Sequence, residues 1–307
     1  MTTRDITLRA GDYSAAITSR GGGVRTLSYR GAPLLIGYEA DADAPMNAGT
    51  ILSPWPNRVD GGVFIFHGRS HSLDITEPQR TNAIHGFVHY QQWQCVDCSD
   101  SSVTLELHDG QHEGWPWALH HSVTWSLHPE TGLSCSYRVR NASSDTAPVA
   151  VGFHPYITAH GAPLDECELS IPSGQYLPLE TTRNLPAGPL TATSHLGLDA
   201  DIAQGIAMDK VFFDHCFHVD QPQQDERFEV TLRHRESGHA VVLRSDLRTP
   251  WLQVFTADPA RDCGYPGVGR ALAVEPMTAP VNAFRSHGAA ELAPGESLSS
   301  DFSIAAG

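Results

Sequence analysis

Five short stretches of the chain concentrate side chains that can bind hydroxyls or move protons, and each lies in or beside an apolar run. SPWPNRVDGG, residues 53 to 62, sets Trp55, Asn57 and Arg58 between two prolines and a glycine pair, a stiff loop just ahead of a strand. An aromatic face, an amide and a guanidinium suit a hydroxyl-rich ligand, because the ring stacks on C–H faces while the polar groups bond hydroxyls in fixed directions. The same composition also describes a structural loop around a buried tryptophan. Asn82-Ala-Ile-His85-Gly86-Phe87 places an imidazole next to a glycine, where the backbone can come close to a ligand. In VGFHPYI, residues 151 to 157, His154 sits in an apolar surround and is followed by proline, so the strand ends or bulges there. Its polar ring needs a partner, either a backbone group or a substrate. LAVEPMTAPVNAF, residues 272 to 284, carries Glu275 straight after an apolar strand. A carboxylate at that place is either ion-paired or kept for proton transfer, since burying it unpaired is costly. Finally, Asp214 and His215 break the apolar run VFFDHCFHV at 211 to 219.

In chain order, PWPNR, NAIHGF, GFHPY, FDHCF, PWLQVF (250 to 255) and VEPMTAPVNAF together resemble the aldose 1-epimerase (galactose mutarotase-like) family, in particular its branches that carry PWPNR and EPMT. The resemblance runs from about residue 50 to about residue 285. It implies a cofactor-free, metal-free isomerase that interconverts the α and β anomers of a free aldose, with Glu275 as catalytic base and His154 as catalytic acid. It assigns Arg58, His85, Asp214 and Gln253 to the sugar hydroxyls, adds Asn57 and Trp55 as neighbours on the first motif, and makes Leu185 to Asp199 a substrate-side loop. Where the family reads histidine-glycine-glycine, this chain has His85-Gly86-Phe87, and the motif around the catalytic histidine is shortened to GFHPY. Both departures speak against galactose as the preferred sugar, by altering the pocket wall while leaving the proton-transfer pair in place. Three rivals stay open beside this reading. A hexose-6-phosphate 1-epimerase would need a cluster of Arg or Lys near the pocket, a sugar-binding or sensing protein would not need both Glu275 and His154, and a glycosidase would use paired carboxylates.

The elements that must position these residues read as strands. Apolar and polar residues alternate at Val123, Trp125 and Leu127, then at Leu133, Cys135, Tyr137 and Val139, with the turn His128-Pro-Glu-Thr-Gly132 between. The same pattern recurs in 227 to 234 and 239 to 246, and in 61 to 73, and no helical stripe lasts three turns. The expected fold class is all-β, a large antiparallel β-sandwich with little helix, forming one domain over residues 1 to 307, with the ligand on an open concave face. The resemblance implies the galactose mutarotase-like supersandwich. The irregular stretch Thr181 to Met208 is either a surface excursion or a site-lining loop.

Composition excludes several classes. A net charge of -15 repels polyanions, which argues against nucleic acid and acidic membranes as partners. No basic segment followed by an apolar run opens the chain and no apolar run of about 18 residues occurs, so a cytoplasmic protein is expected, either monomer or homodimer. Six cysteines in 307 residues are too sparse for a disulfide framework, and the pair Cys95–Cys98 lacks the second close pair of a structural zinc site. GYPGVGR, residues 264 to 270, precedes a strand and lacks the lysine of a phosphate loop, so it reads as a turn. No G-x-S-x-G elbow is present.

Overall fold

A computed structural model describes residues 5–40, 42–219, 227–246 and 248–307; the first four residues, on which part of the expectation about the amino terminus rested, lie outside it. The alternating segments form the strands they predict. Leu119–His128 and Gly132–Asn141 are ten-residue partners joined at the expected turn, with inward residues buried at every second position. They lie in a nine-stranded antiparallel sheet that continues through Ser297–Ala306 to the hairpin Arg227–His234 and Ala240–Asp246.

A second antiparallel sheet of eight strands carries the motifs. Across it run Thr191–Ala192, Gln175–Leu177, Asp214–His218, Trp251–Ala257, Ala271–Met277, Gly152–Phe153 and Ile51–Leu52, with Tyr156–Ile157 also paired to Ala271–Met277. The two sheets share one core: the Phe153 ring of the second stacks on Phe302 of the first at 4.2 Å and lies 5.5 Å from Trp125. A four-stranded sheet from Asp5–Ala10 to Ala32–Pro33 adds to that core, and Trp125 Nε1 donates to the Gly22 carbonyl at its edge. Among the described residues the α-helix is confined to Ala283–Ser286. None is long and apolar enough to cross a membrane.

Ala271–Met277 is buried at all seven positions, because it has a strand on either side and cover on both faces. Apolar side chains are at home there, whereas Glu275 is the one charged group in the strand and is only 2% exposed. Residues 264–270 do form a turn ahead of this strand, closed by Tyr265 and Gly269 exchanging backbone bonds.

Candidate active site

Register brings His154 and Glu275 together. Gly152 pairs with Met277 and Tyr156 with Ala273, so the two-residue break between them holds His154 opposite Glu275. Pro155 keeps that break open, as its missing N–H predicts. The loose backbone is tied elsewhere: His154 N–H donates to the Thr50 carbonyl, and Gly49 N–H donates to the His154 carbonyl at 2.8 Å. Glu275 Oε1 ends 3.4 Å from His154 Nε2, with both side chains buried. On the other flank Gln253 is the register partner of Glu275, and its Nε2 donates to Asp214 Oδ1 at 2.7 Å. Three neighbouring strands and the start of a fourth thus deliver His154, Glu275, Gln253 and Asp214 in sequence across one sheet.

Arg58 and His85 come from a separate two-stranded ladder, in which Arg58–Asp60 pairs with Asn82–Ile84 and Arg58 lies opposite Ile84, the residue before His85. Asn57 and His85 both have left-handed backbone, with φ of 56° and 66°. Asn57 N–H donates to His85 Nδ1, which leaves Nε2–H as the donor His85 can offer a ligand. Arg58 bonds Glu77 through both Nε and an Nη, at 2.8 and 2.9 Å, and reaches Asn57 Oδ1 at 3.1 Å. Arg80 lies 3.4 Å from Asp214 and 3.8 Å from Glu77, and Asn82 donates to Glu77. Arg183 in turn holds the carbonyls of Arg80 and Thr81. Glu77, Arg80 and Arg183 were not singled out from sequence. The signal available for the first two was EPQRT, residues 77 to 81, immediately before the NAIHGF motif, where a carboxylate and a guanidinium crowd a segment that already carries site residues.

Seven of the eight expected residues line or frame one cavity of about 250 Å³: Asn57, Arg58, His85, His154, Asp214, Gln253 and Glu275, joined by Met46, Asn47, Tyr156 and Phe255. Several polar atoms there have no protein partner, namely Glu275 Oε2, His154 Nδ1, Gln253 Oε1 and the Tyr156 hydroxyl. Trp55 is the exception. Its ring packs against Phe87 at 4.9 Å and Phe284 at 5.8 Å in the aromatic core behind the loop, so its large apolar surface is spent on packing rather than on the cavity. Phe87 belongs to the same cluster and stacks on His112 at 3.9 Å, so it does not form the altered pocket wall expected of it. Gly86 is also explained differently: with φ of 70°, an added Cβ would sit 2.0 Å from the Ser53 carbonyl oxygen, so protein backbone, not a ligand, demands the glycine. Nor does Leu185 to Asp199 line this cavity. Thr191–Ala192 pairs with Gln175–Leu177 and carries the segment along the sheet edge, away from His154.

Burial sets the charge of the pair. It pushes Glu275 well above the ordinary carboxylate range, an effect reinforced by the charge of Asp214 and only partly opposed by Arg58. It also lowers His154 to about 4, with His89 adding to the effect. Burial therefore favours an uncharged pair holding one proton on Glu275, the opposite placement from a carboxylate facing an imidazolium. His85 is likewise pushed well below its ordinary value, by burial first and then by His154. Arg58 stays charged although burial works against it most strongly, because its hydrogen bonds to Glu77 together with the charges of Asp214, Glu77 and Glu275 outweigh that cost.

His85, His154 and Glu275 bring possible metal-ligand atoms within 4.8 Å of one another, as do Glu106, His108 and His120 on the outer sheet face. In the first group His85 is a poor ligand, since its Nδ1 lone pair already accepts from Asn57 and its Nε2 carries the hydrogen. Cys95 and Cys98 are exposed, and Cys135, Cys167 and Cys216 are buried on separate strands, so no second pair completes a zinc set among these cysteines.

Residues 4–305 match the family model for aldose 1-epimerase. The chain belongs to the aldose 1-epimerase family. That family implies an isomerase. Its relatives include the uncharacterized protein YihR of Escherichia coli K12, 32% identical over 281 residues that cover 92% of this chain and 86% of that protein. Among solved structures, a galactose mutarotase-like protein from Clostridium acetobutylicum superposes with a TM-score of 0.83 at 21% identity, covering 99% of this chain and 95% of that one. Galactose 1-epimerase from Lactobacillus acidophilus does so with 0.79 at 16%, covering 99% and 95%. The fold of this family member is thus the galactose mutarotase-like arrangement of antiparallel sheets.

Proposed function

We propose that this protein interconverts the α and β anomers of an unphosphorylated aldose, with Glu275 and His154 as the proton-transfer pair. Ring opening needs a proton taken from the C1 hydroxyl and another given to the ring oxygen, and ring closure on the other face reverses both steps. The observation that carries the reading is the buried carboxyl set 3.4 Å from a buried imidazole in the wall of a cavity of about 250 Å³. That volume is below the usual range for larger ligands and suits a single small ring. In either placement the pair holds one proton, so shifting it from Glu275 to His154 produces the carboxylate base and imidazolium acid without exchange with solvent. Substrate hydroxyls entering beside Glu275 Oε2 would supply the hydrogen bonds that the protein does not give this oxygen. His85 Nε2–H, Arg58, Asn57, Gln253 and Asp214 would hold the ring by its hydroxyls, contributing orientation.

The phosphorylated alternative finds less support. Arg80 does join Arg58 near the cavity, but both face Glu77, and Arg80 also faces Asp214, so these cations are already compensated. A purely binding role gives no reason for an acid and a base to be opposed in a cleft, and a glycosidase would set a second carboxyl, not an imidazole, against Glu275. The test is to dissolve pure α anomers of a panel of free aldoses and follow equilibration by proton NMR with and without protein. Acceleration of at least one sugar is expected; a panel that equilibrates at the spontaneous rate throughout overturns the proposal.

A further inference from the structure

The reaction cavity opens into a second, larger one. Arg58, Asp214 and Phe255 are walls of both, and beyond them lies an annex of about 690 Å³. His154 and Glu275 are absent from its lining, so a ring whose C1 lies against that pair would direct its remote hydroxyls at the shared wall. Three features make the annex more than a widening of the mouth. Asn184, 5% exposed, lines it, and the Asn184 Nδ2 amide is buried without any hydrogen-bond partner, a standing cost unless something fills the space. Tyr176, Phe212 and Phe255 are aromatic rings left only partly covered along its walls, with Phe212 and Phe255 edge to face at 6.3 Å. Arg261 caps the Phe212 ring at 4.0 Å and has no carboxylate partner among the described residues.

Rings that stack on C–H faces, together with unpaired N–H donors, are the requirements for a second sugar unit. We infer that the physiological substrate is a reducing disaccharide or longer oligosaccharide, its reducing-end ring in the reaction cavity and the next unit in the annex, bonded by Asn184 and stacked on Phe212. This inference rests on the anomer-exchange reading above. It also gives part of the irregular stretch a role: Thr181 and Asn184 line the annex, whereas Leu185 to Asp199 do not.

The test compares kcat/KM for freshly dissolved anomers of glucose, galactose and mannose with maltose, cellobiose, lactose and glucose 6-phosphate. At least one disaccharide should exceed its own reducing-end monosaccharide by about 10-fold, the equivalent of one or two good polar contacts. Asn184→Gly keeps the left-handed backbone at φ 57°. It and Phe212→Ala should each cut the disaccharide value by about 3- to 10-fold and leave the monosaccharide value unchanged. Disaccharides no better than monosaccharides, a preference for the phosphate ester, or equal loss on both substrate sizes would each overturn the inference. Saturation-transfer NMR of the disaccharides on Glu275→Gln protein separates the two claims. If no sugar is turned over but a disaccharide binds and Asn184→Gly removes the signal, the reaction is wrong and the annex stands; if no disaccharide binds, the annex assignment falls.

Discussion

Glu275 and His154 are each costly where they stand. Both are almost fully buried, and two of their polar atoms have no partner. If they form the proton-transfer pair, Glu275→Gln should lower the mutarotation rate constant by about 10²- to 10⁴-fold while the circular dichroism spectrum stays unchanged. His154→Asn should be similarly impaired, and a near-normal rate by polarimetry in either variant would remove that residue from the pair. The pH profile of kcat/KM should be a broad plateau. Activity falls as pH drops through about 4, where His154 takes up a second proton and no base remains. It falls again only where Glu275 loses its proton, well above the ordinary carboxylate range. Stability supplies an independent check on the same group. Above the ordinary Glu pKa the unfolded chain is ionised at this position while folded Glu275 keeps its proton, so at this position the folded state binds more protons and the contribution of Glu275 to stability declines as pH rises. Urea midpoints from pH 5 to 8 should therefore improve for Glu275→Gln relative to wild type, by up to about 1.4 kcal/mol per pH unit of the raised range.

At the scale of elements, the site is an interrupted strand laid against a fully buried one, with the short ladder of Arg58–Asp60 and Asn82–Ile84 beside them. Alternation and the proline after His154 predict the interruption, and the apolar run predicts burial around Glu275. The pairing of Gly152 with Met277 is what turns those two local facts into a facing pair. The ladder side depends on Arg58 and Glu77. Removing the carboxylate would leave a guanidinium that is 8% exposed without its two charged hydrogen bonds. Glu77→Gln should cost about 3 kcal/mol, as breaking a buried ion pair does, read as a lower urea midpoint, and should raise KM because Arg58 is no longer held. Trp55 and Phe87 were misread for one reason: composition shows that an aromatic is present in a loop, whereas which side of the loop it faces is set by Trp115 and Phe284 from distant segments.

For the whole molecule, the two large sheets meet through a few rings, and the strand that ends at His154 depends on that contact. Phe153 lies between Trp125 and Phe302, one residue before the imidazole. Phe153→Ala should destabilise the fold by about 3–5 kcal/mol, measured by urea denaturation, and should lower kcat at temperatures where the protein is still folded, because the break carrying His154 loses its anchor. The sequence by itself determined the all-β class, the hairpins at 119–141 and 227–246, and the residue types able to move protons or bind hydroxyls, since period-two alternation and side-chain chemistry are local properties. Only the tertiary structure decided that His154 and Glu275 face each other at 3.4 Å, that Glu77 and Arg80 belong beside Arg58, and that Trp55 does not line the cavity. Those outcomes depend on strand register and on which loops pack together, and both are fixed by contacts between segments tens to hundreds of residues apart, where no local pattern reaches.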